Sequence, residues 1–151
     1  MTKEDLKKYR LLVEELETEE ERLQAMNINL PGTGGGSNDG TPSGSGNKDP
    51  IGTQYCIKAE LEKKVLKTQE KERKRRISIE EKMEEKHLLP RERQIIRLHY
   101  IDRMEWKQIN KVIYGKRSDY YNKEESYMRR VFRIHGSALE KMKDGKEGKD
   151  E

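Results

Sequence analysis

The sequence has few of the apolar side chains that a large folded core requires. Hydrophobic residues make up 30% of its 151 residues, with one tryptophan and one phenylalanine, whereas 41% of the residues are charged. A chain this poor in apolar residues is not expected to build one large core. The composition favours an all-α protein in which elongated helices accompany one small compact domain.

Cysteine is nearly absent, and long apolar runs are missing. The single Cys56 has no partner for an internal disulfide, and no Cys or His residues have the spacing of a structural zinc site. No stretch approaches the roughly 18 consecutive apolar residues of a membrane span, and no apolar segment follows the charged opening MTKEDLKKYR. We therefore expect a cytoplasmic protein that does not contact a membrane.

Recognisable catalytic patterns are also missing. The three histidines, His87, His99 and His135, are well separated, and the glycines of residues 32–46 lack the flanking strand of a phosphate-binding loop. Because no nucleophile is paired with a base, the sequence predicts a protein that is not an enzyme and needs neither a cofactor nor a metal.

The N-terminal half predicts two helices joined by a linker. Residues 1–30 begin with the capping pattern TKED and predict an amphipathic coiled-coil helix, with apolar positions at Leu6, Tyr9, Val13, Leu16 and Leu23. Residues 31–53 are rich in glycine and serine and predict a flexible linker. Residues 54–88 predict a long charged helix that pairs with the first. The pattern leaves open whether this pairing is an intramolecular hairpin or a homodimer.

The C-terminal half predicts a compact three-helix domain over residues 89–143, followed by a disordered tail at 144–151. Two short amphipathic segments lie within LPRERQIIRLHYIDRMEWKQINKVI, and a third helix ends at about Met142. The predicted core consists of Leu98, Trp106, Ile109, Val131, Ile134 and Leu139.

Basic residues concentrate in this second half, because residues 91–143 carry 14 basic and 7 acidic side chains. Such an excess is typical of a surface that binds a polyanion. The third helix separates an apolar side from an arginine-rich side, which is the layout of a helix-turn-helix reader of double-stranded DNA. Candidate base-reading residues are Ser126, Tyr127, Arg129, Arg130 and Arg133, and candidate phosphate-binding residues are Lys107, Lys111, Lys116 and Arg117.

The segments LPRERQIIRLHYIDRMEWKQI and YMRRVFRIHGSALEKM resemble the two halves of region 4 of a bacterial sigma factor. They resemble more closely the sigma-region-4-like transcriptional regulators of phages and prophages, which include the RinA/ArpU-like late regulators. The resemblance covers about residues 86–143, and RIHGSAL is its most specific piece. It implies an N-terminal coiled coil, a C-terminal helix-turn-helix, a bacterial host cell, promoter DNA as a partner and contact with RNA polymerase.

Two departures from the family pattern concern the turn and the helix before it. Glu105 stands where the family commonly has a small hydroxyl residue, and YGKRSDYYNKEE replaces the usual tight turn. Two other functions also stay open: a DNA-packaging protein similar to a small terminase subunit, and an adaptor that binds polymerase without binding DNA. The arginine-rich side is also compatible with an ordinary solvated helix face.

Overall fold

The chain is all-α in a computed structural model that describes residues 1–29 and 50–144. Five α-helices are present in these ranges: α1 (Lys3–Asn29), α2 (Pro50–Glu85), α3 (Pro90–Ile96), α4 (Trp106–Tyr114) and α5 (Glu124–Met142). A π-helical turn, Arg97–Ile101, directly continues α3. The described ranges contain no strand, which confirms the predicted fold class at this level.

Helix α2 differs from its predicted bounds of residues 54–88 at both ends, because it spans Pro50–Glu85. Helix α2 begins at Pro50, so the last four residues of the predicted linker are helical. Proline is tolerated in the first turn of a helix, where its missing N–H leaves no bond unmade. The rest of the predicted linker and nearly all of the predicted tail lie outside the described residues. Within the described part of the chain, no helix combines the length and the apolar character needed to cross a membrane.

The described residues form two compact units. The smaller unit comprises residues 13–29 of α1 and 50–71 of α2. Its apolar contacts are few, with Leu61 and Val65 buried, and polar bonds join the two helices. Lys64 Nζ lies 3.3 Å from the carboxylate of the buried Glu19. A helix pair this poor in buried apolar surface depends in part on such pairs for its register.

The larger unit comprises residues 1–12 and 72–144. It therefore contains the predicted domain of residues 89–143 together with the start of α1 and the end of α2. Leu6 and Tyr9 of α1 and Met83 of α2 are completely or almost completely buried. The Tyr9 hydroxyl donates to Glu72 Oε1 at 2.7 Å, and burial with this bond raises the pKa of Tyr9. These side chains supply apolar surface that the short C-terminal helices lack.

Polar contacts join α2 to α3 and α3 to α5 inside the larger unit. Arg97, in the π-helical turn, donates to both carboxylate oxygens of Glu80 at 2.6–3.2 Å. The buried Glu92 of α3 accepts bonds from the Leu89 N–H, from Ser137 Oγ at 2.8 Å and from Lys141 Nζ at 3.0 Å. Burial alone would raise the pKa of Glu92, but these donors outweigh it and the pKa is lowered.

The core beneath α5 is formed by α3, α4, α5 and the segment between α4 and α5. Its buried residues are Ile95, Ile109, Tyr114, Tyr120, Tyr127 and Val131, and packed against them are Leu98, Met104, Trp106, Ile113 and Ile134. Five of the six predicted core residues belong to this cluster. The sixth, Leu139, is partly buried elsewhere on α5.

Candidate nucleic-acid interface

Three tyrosines hold the start of α5 against α4. The ring of Tyr127 stacks on Tyr114 with centroids 4.7 Å apart and lies 6.3 Å from the ring of Tyr120. The Tyr127 hydroxyl donates to Asp119 Oδ1 at 2.6 Å, and this bond lowers the pKa of Asp119. The Asn110 amide of α4 donates to the carbonyl oxygen of Glu124 at 3.1 Å. The first turn of α5 is therefore fixed from two sides.

The segment between α4 and α5 is longer than a tight turn, and backbone bonds order it. The N–H of Arg117 donates to the Tyr114 carbonyl at 3.0 Å, and the N–H of Tyr120 donates to the Arg117 carbonyl at 3.1 Å. Tyr120 is buried, whereas Tyr121 is 79% exposed. Tyr120 thus anchors this segment, and the mostly exposed Tyr121 meets the ring of Tyr120 edge to face with centroids 5.4 Å apart.

Two of the predicted DNA-binding arginines rest on this tyrosine cluster. The guanidinium carbon of Arg117 lies 5.6 Å from the ring centroid of Tyr114 and 5.7 Å from that of Tyr127. The guanidinium carbon of Arg130 lies 5.2 Å from the centroid of Tyr127. Both arginines remain exposed. Cation–π contact restricts a flexible side chain, so less entropy is lost when the guanidinium binds a ligand.

The outward side of α5 carries the other predicted arginines. Ser126, Arg129 and Arg133 are exposed, while the opposite side buries Tyr127, Val131, His135, Ala138 and Met142. Neither Arg129 nor Arg133 has an ion-pair partner among residues 1–29 and 50–144. Their donors are therefore available to an external acceptor.

Tyr127 differs from the other predicted base-reading residues. It is 4% exposed, its ring is covered by Tyr114, and its hydroxyl is bonded to Asp119. A side chain in this position cannot reach a base edge. Its ring instead supports the guanidinium groups of Arg117 and Arg130. The sequence signal for this burial was that Tyr127 lies one helical turn before Val131 on the apolar side of α5.

The predicted phosphate-binding residues Lys107, Lys111 and Lys116 are all exposed. Lys107 and Lys111 are one helical turn apart on α4 and so share a face. Acidic residues adjoin the basic ones, because Glu124 and Glu125 occupy the first turn of α5. With Ser126 and Arg129 they line an open groove of about 500 Å³. Over residues 105–133 the chain carries 8 basic and 4 acidic side chains, so this part of the domain stays basic.

A buried cluster of aromatic rings and histidines supports the middle of α5, and the sequence patterns did not reveal it as a unit. Trp106 stacks on His99 with centroids 3.9 Å apart and meets the ring of His135 at 4.6 Å. The Tyr100 hydroxyl lies 2.9 Å from His135 Nε2. Burial lowers the pKa of His135 to about 4 and raises that of Tyr100 to about 12. The sequence signal for this cluster was that residues 98–100 (LHY), Trp106 and residues 133–135 (RIH) include positions on apolar helix faces.

His99 links this cluster to α1. Its Nδ1 lies 3.0 Å from the Met104 carbonyl oxygen and its Nε2 lies 3.3 Å from a guanidinium nitrogen of Arg10. A guanidinium can only donate, so Nε2 accepts and the proton resides on Nδ1. Burial lowers the pKa of His99, which keeps the ring in this neutral form.

The described residues contain no group of three or more His, Cys, Asp or Glu side chains arranged to hold a metal ion. Comparison with protein-family models, curated proteins and solved structures finds no match. Within the described residues, the exposed arginines of α5 and the tyrosines beneath Arg117 and Arg130 form the candidate interface.

Proposed function

We propose that the protein is a sequence-specific DNA-binding transcriptional regulator of phage or prophage genes. The observation that carries the proposal is the division of α5 into a buried side and an exposed side, whose Arg129 and Arg133 form no ion pair within the described ranges. Helix α5 would enter the major groove, where the planar guanidinium of either arginine can pair with the O6 and N7 acceptors of guanine. The resemblance of the chain to sigma factor region 4 supports the same interpretation.

In this proposal α4, the connecting segment and α5 act as a helix-turn-helix. Arg117, held on the Tyr127 ring, serves phosphates along the groove edge. Arg130, held on the same ring, reads bases together with Arg129 and Arg133 in this proposal. Lys107 and Lys111 serve phosphates from α4, as the first helix of such motifs does. The connecting segment is long for the motif, but its tyrosine anchors give α5 a fixed start.

The proposal assigns α1 and α2 to a helical hairpin that serves oligomerisation or partner contact. The pairing of Glu19 with Lys64 and of Glu20 with Gln69 supports this assignment. RNA polymerase is a proposed partner through the family resemblance alone.

Binding to DNA fragments from the protein's own genomic neighbourhood tests the proposal. The full chain is titrated at two salt concentrations against unrelated DNA of equal length. A fragment preferred by about 10³-fold or more is the result expected of a specific reader. The variant carrying both Arg129→Ala and Arg133→Ala should lose this preference, while the control variant carrying Arg75→Ala and Arg91→Ala, with the same charge loss on α2 and α3, should keep it.

Other outcomes would overturn the proposal. Equal and steeply salt-dependent binding to every fragment would indicate non-specific binding to the phosphate backbone alone. If the particle mass in solution then corresponded to a ring-shaped oligomer, a DNA-packaging protein would be favoured. Absence of DNA binding with retained polymerase binding would favour an adaptor. An unchanged preference in the Arg129/Arg133 variant would remove α5 from the role of recognition helix.

A further inference from the structure

Phe132 is an exposed aromatic residue halfway along α5, beside the basic face of the helix. It is 46% exposed, and its ring meets the ring of Trp106 edge to face with centroids 5.2 Å apart. At about 100° per residue, Phe132 lies about 60° from Arg129 around the helix axis, on the side opposite to Arg130. The contact with Trp106 restricts the ring of Phe132, whose exposed part forms an apolar surface beside the arginines.

Gly136 follows Phe132 by one helical turn and is also exposed. Glycine is a poor residue for a helix interior, and no neighbour within residues 1–29 and 50–144 requires it here. Among these residues, a Cβ atom at this position would meet no heavy atom within 4 Å. An exposed helical glycine without an internal packing reason is instead suited to a place where another molecule approaches the backbone closely.

Phe132, Gly136, Arg129 and Arg133 all lie within an arc of about 100° on α5. The side of the arc with Phe132 and Gly136 forms an apolar step, whereas Arg129 and Arg133 provide hydrogen-bond donors. In the major groove, the apolar group that distinguishes one base from the others is the C5-methyl of thymine. An apolar step next to guanidinium donors therefore matches a site with a thymine close to a guanine.

We infer that Phe132 and Gly136 form a thymine-reading step, in which the ring of Phe132 contacts the C5-methyl group and the absent side chain of Gly136 leaves room for the base edge. The inference rests on the proposed function, because it requires α5 to lie in the major groove. It adds two specificity-determining residues to the arginines and names the base that they read.

Deoxyuridine tests the inference, because it lacks only the methyl group of thymidine. The probe is a duplex recovered by repeated selection of random-sequence DNA on the full-length protein, with its thymines replaced by deoxyuridine one at a time. At one position the replacement should weaken binding about fourfold, the loss expected for one buried methyl group. In Phe132→Ala this difference between the two bases should disappear. The control Val112→Ala, which shortens an exposed apolar side chain on α4, should retain it.

Gly136→Ala separates recognition from folding. Because the new methyl group meets open space in the protein, the variant should unfold at a temperature about 3 °C higher than the wild type. Its affinity for the selected duplex should nevertheless fall at least about fivefold, since the methyl group would occupy the place of the base edge. Undiminished affinity in Gly136→Ala, or an unchanged discrimination between thymine and deoxyuridine in Phe132→Ala, would overturn the inference.

The failure of the inference is distinguishable from that of the proposed function. If selection recovers a defined sequence but no deoxyuridine replacement weakens binding, the thymine-reading step is wrong and the regulator proposal stands. If selection recovers no sequence preference, the regulator proposal fails and the thymine-reading step fails with it.

Discussion

Mild acid should destabilise the larger unit through His135. This histidine is 6% exposed, and burial lowers its pKa from 6.5 to about 4. In the unfolded chain the ring takes up a proton near pH 6.5, whereas in the folded unit it stays neutral until the pH falls to about 4. Stability is therefore fully present above the unfolded pKa and is lost as the pH falls from about 6.5 towards about 4.

The magnitude follows from the two pKa values. A difference of about 2.5 pKa units, at about 1.36 kcal/mol per unit, corresponds to a total loss of about 3 kcal/mol. About 2 kcal/mol of this should be lost between about pH 7 and about pH 5. The pKa of His99 is also lowered by burial, so His99 adds a loss of the same sign.

Urea unfolding of the wild type and of His135→Gln at a series of pH values measures this effect. The variant should be less stable near neutral pH, but its free energy of unfolding should fall by about 2 kcal/mol less over the same interval. The carboxylates of Glu80, Glu92 and Asp144, whose pKa values are lowered, contribute at lower pH and are present in both proteins. Parallel pH curves for the two proteins would refute the reasoning about His135.

Two further perturbations test the contact between α3 and α5 and the basic residues of α4. Glu92→Ala removes a buried carboxylate that accepts hydrogen bonds from Ser137 and Lys141. The free energy of unfolding measured in urea should therefore fall by about 2–3 kcal/mol. A loss well below 1 kcal/mol would contradict the contribution of these bonds to stability. Replacing both Lys107 and Lys111 by Ala should weaken DNA binding about equally for all sequences and reduce the slope of log K against log salt by about 1.8, whereas an unchanged slope would remove α4 from the phosphate contacts.

The sequence predicted the helices of the C-terminal half well, because their apolar periodicity is strong. Trp106, Ile109 and Ile113 recur at helical spacing, and α4 spans Trp106–Tyr114. Most of the predicted core follows from the same periodicity. The exposure of Arg129 and Arg133 was predicted for the same reason, since residues opposite a buried helix face must be exposed.

Features that depend on contacts between distant residues were not predictable in the same way. Leu6 and Tyr9 are buried in the unit that contains α5, where Arg10 of the same helix contacts His99. Apolar periodicity predicts which face of α1 is buried, but it does not predict which distant residues cover that face. The stacking of Tyr114, Tyr120 and Tyr127 depends on the path of the connecting segment. Tyr127 was expected to read bases because it lies near the start of the helix. Its position on the apolar side of α5 instead buries its ring.

The order of synthesis gives the packing of residues 1–12 a further consequence. These residues leave the ribosome well before residues 72–144, which share their compact unit. At roughly 5–20 residues per second, Leu6 and Tyr9 must wait several seconds for the surfaces that bury them. During this interval the apolar side chains at the start of α1 lack the surfaces that bury them in the folded unit, and the unit around α5 can be completed only after residues 72–144 have been made.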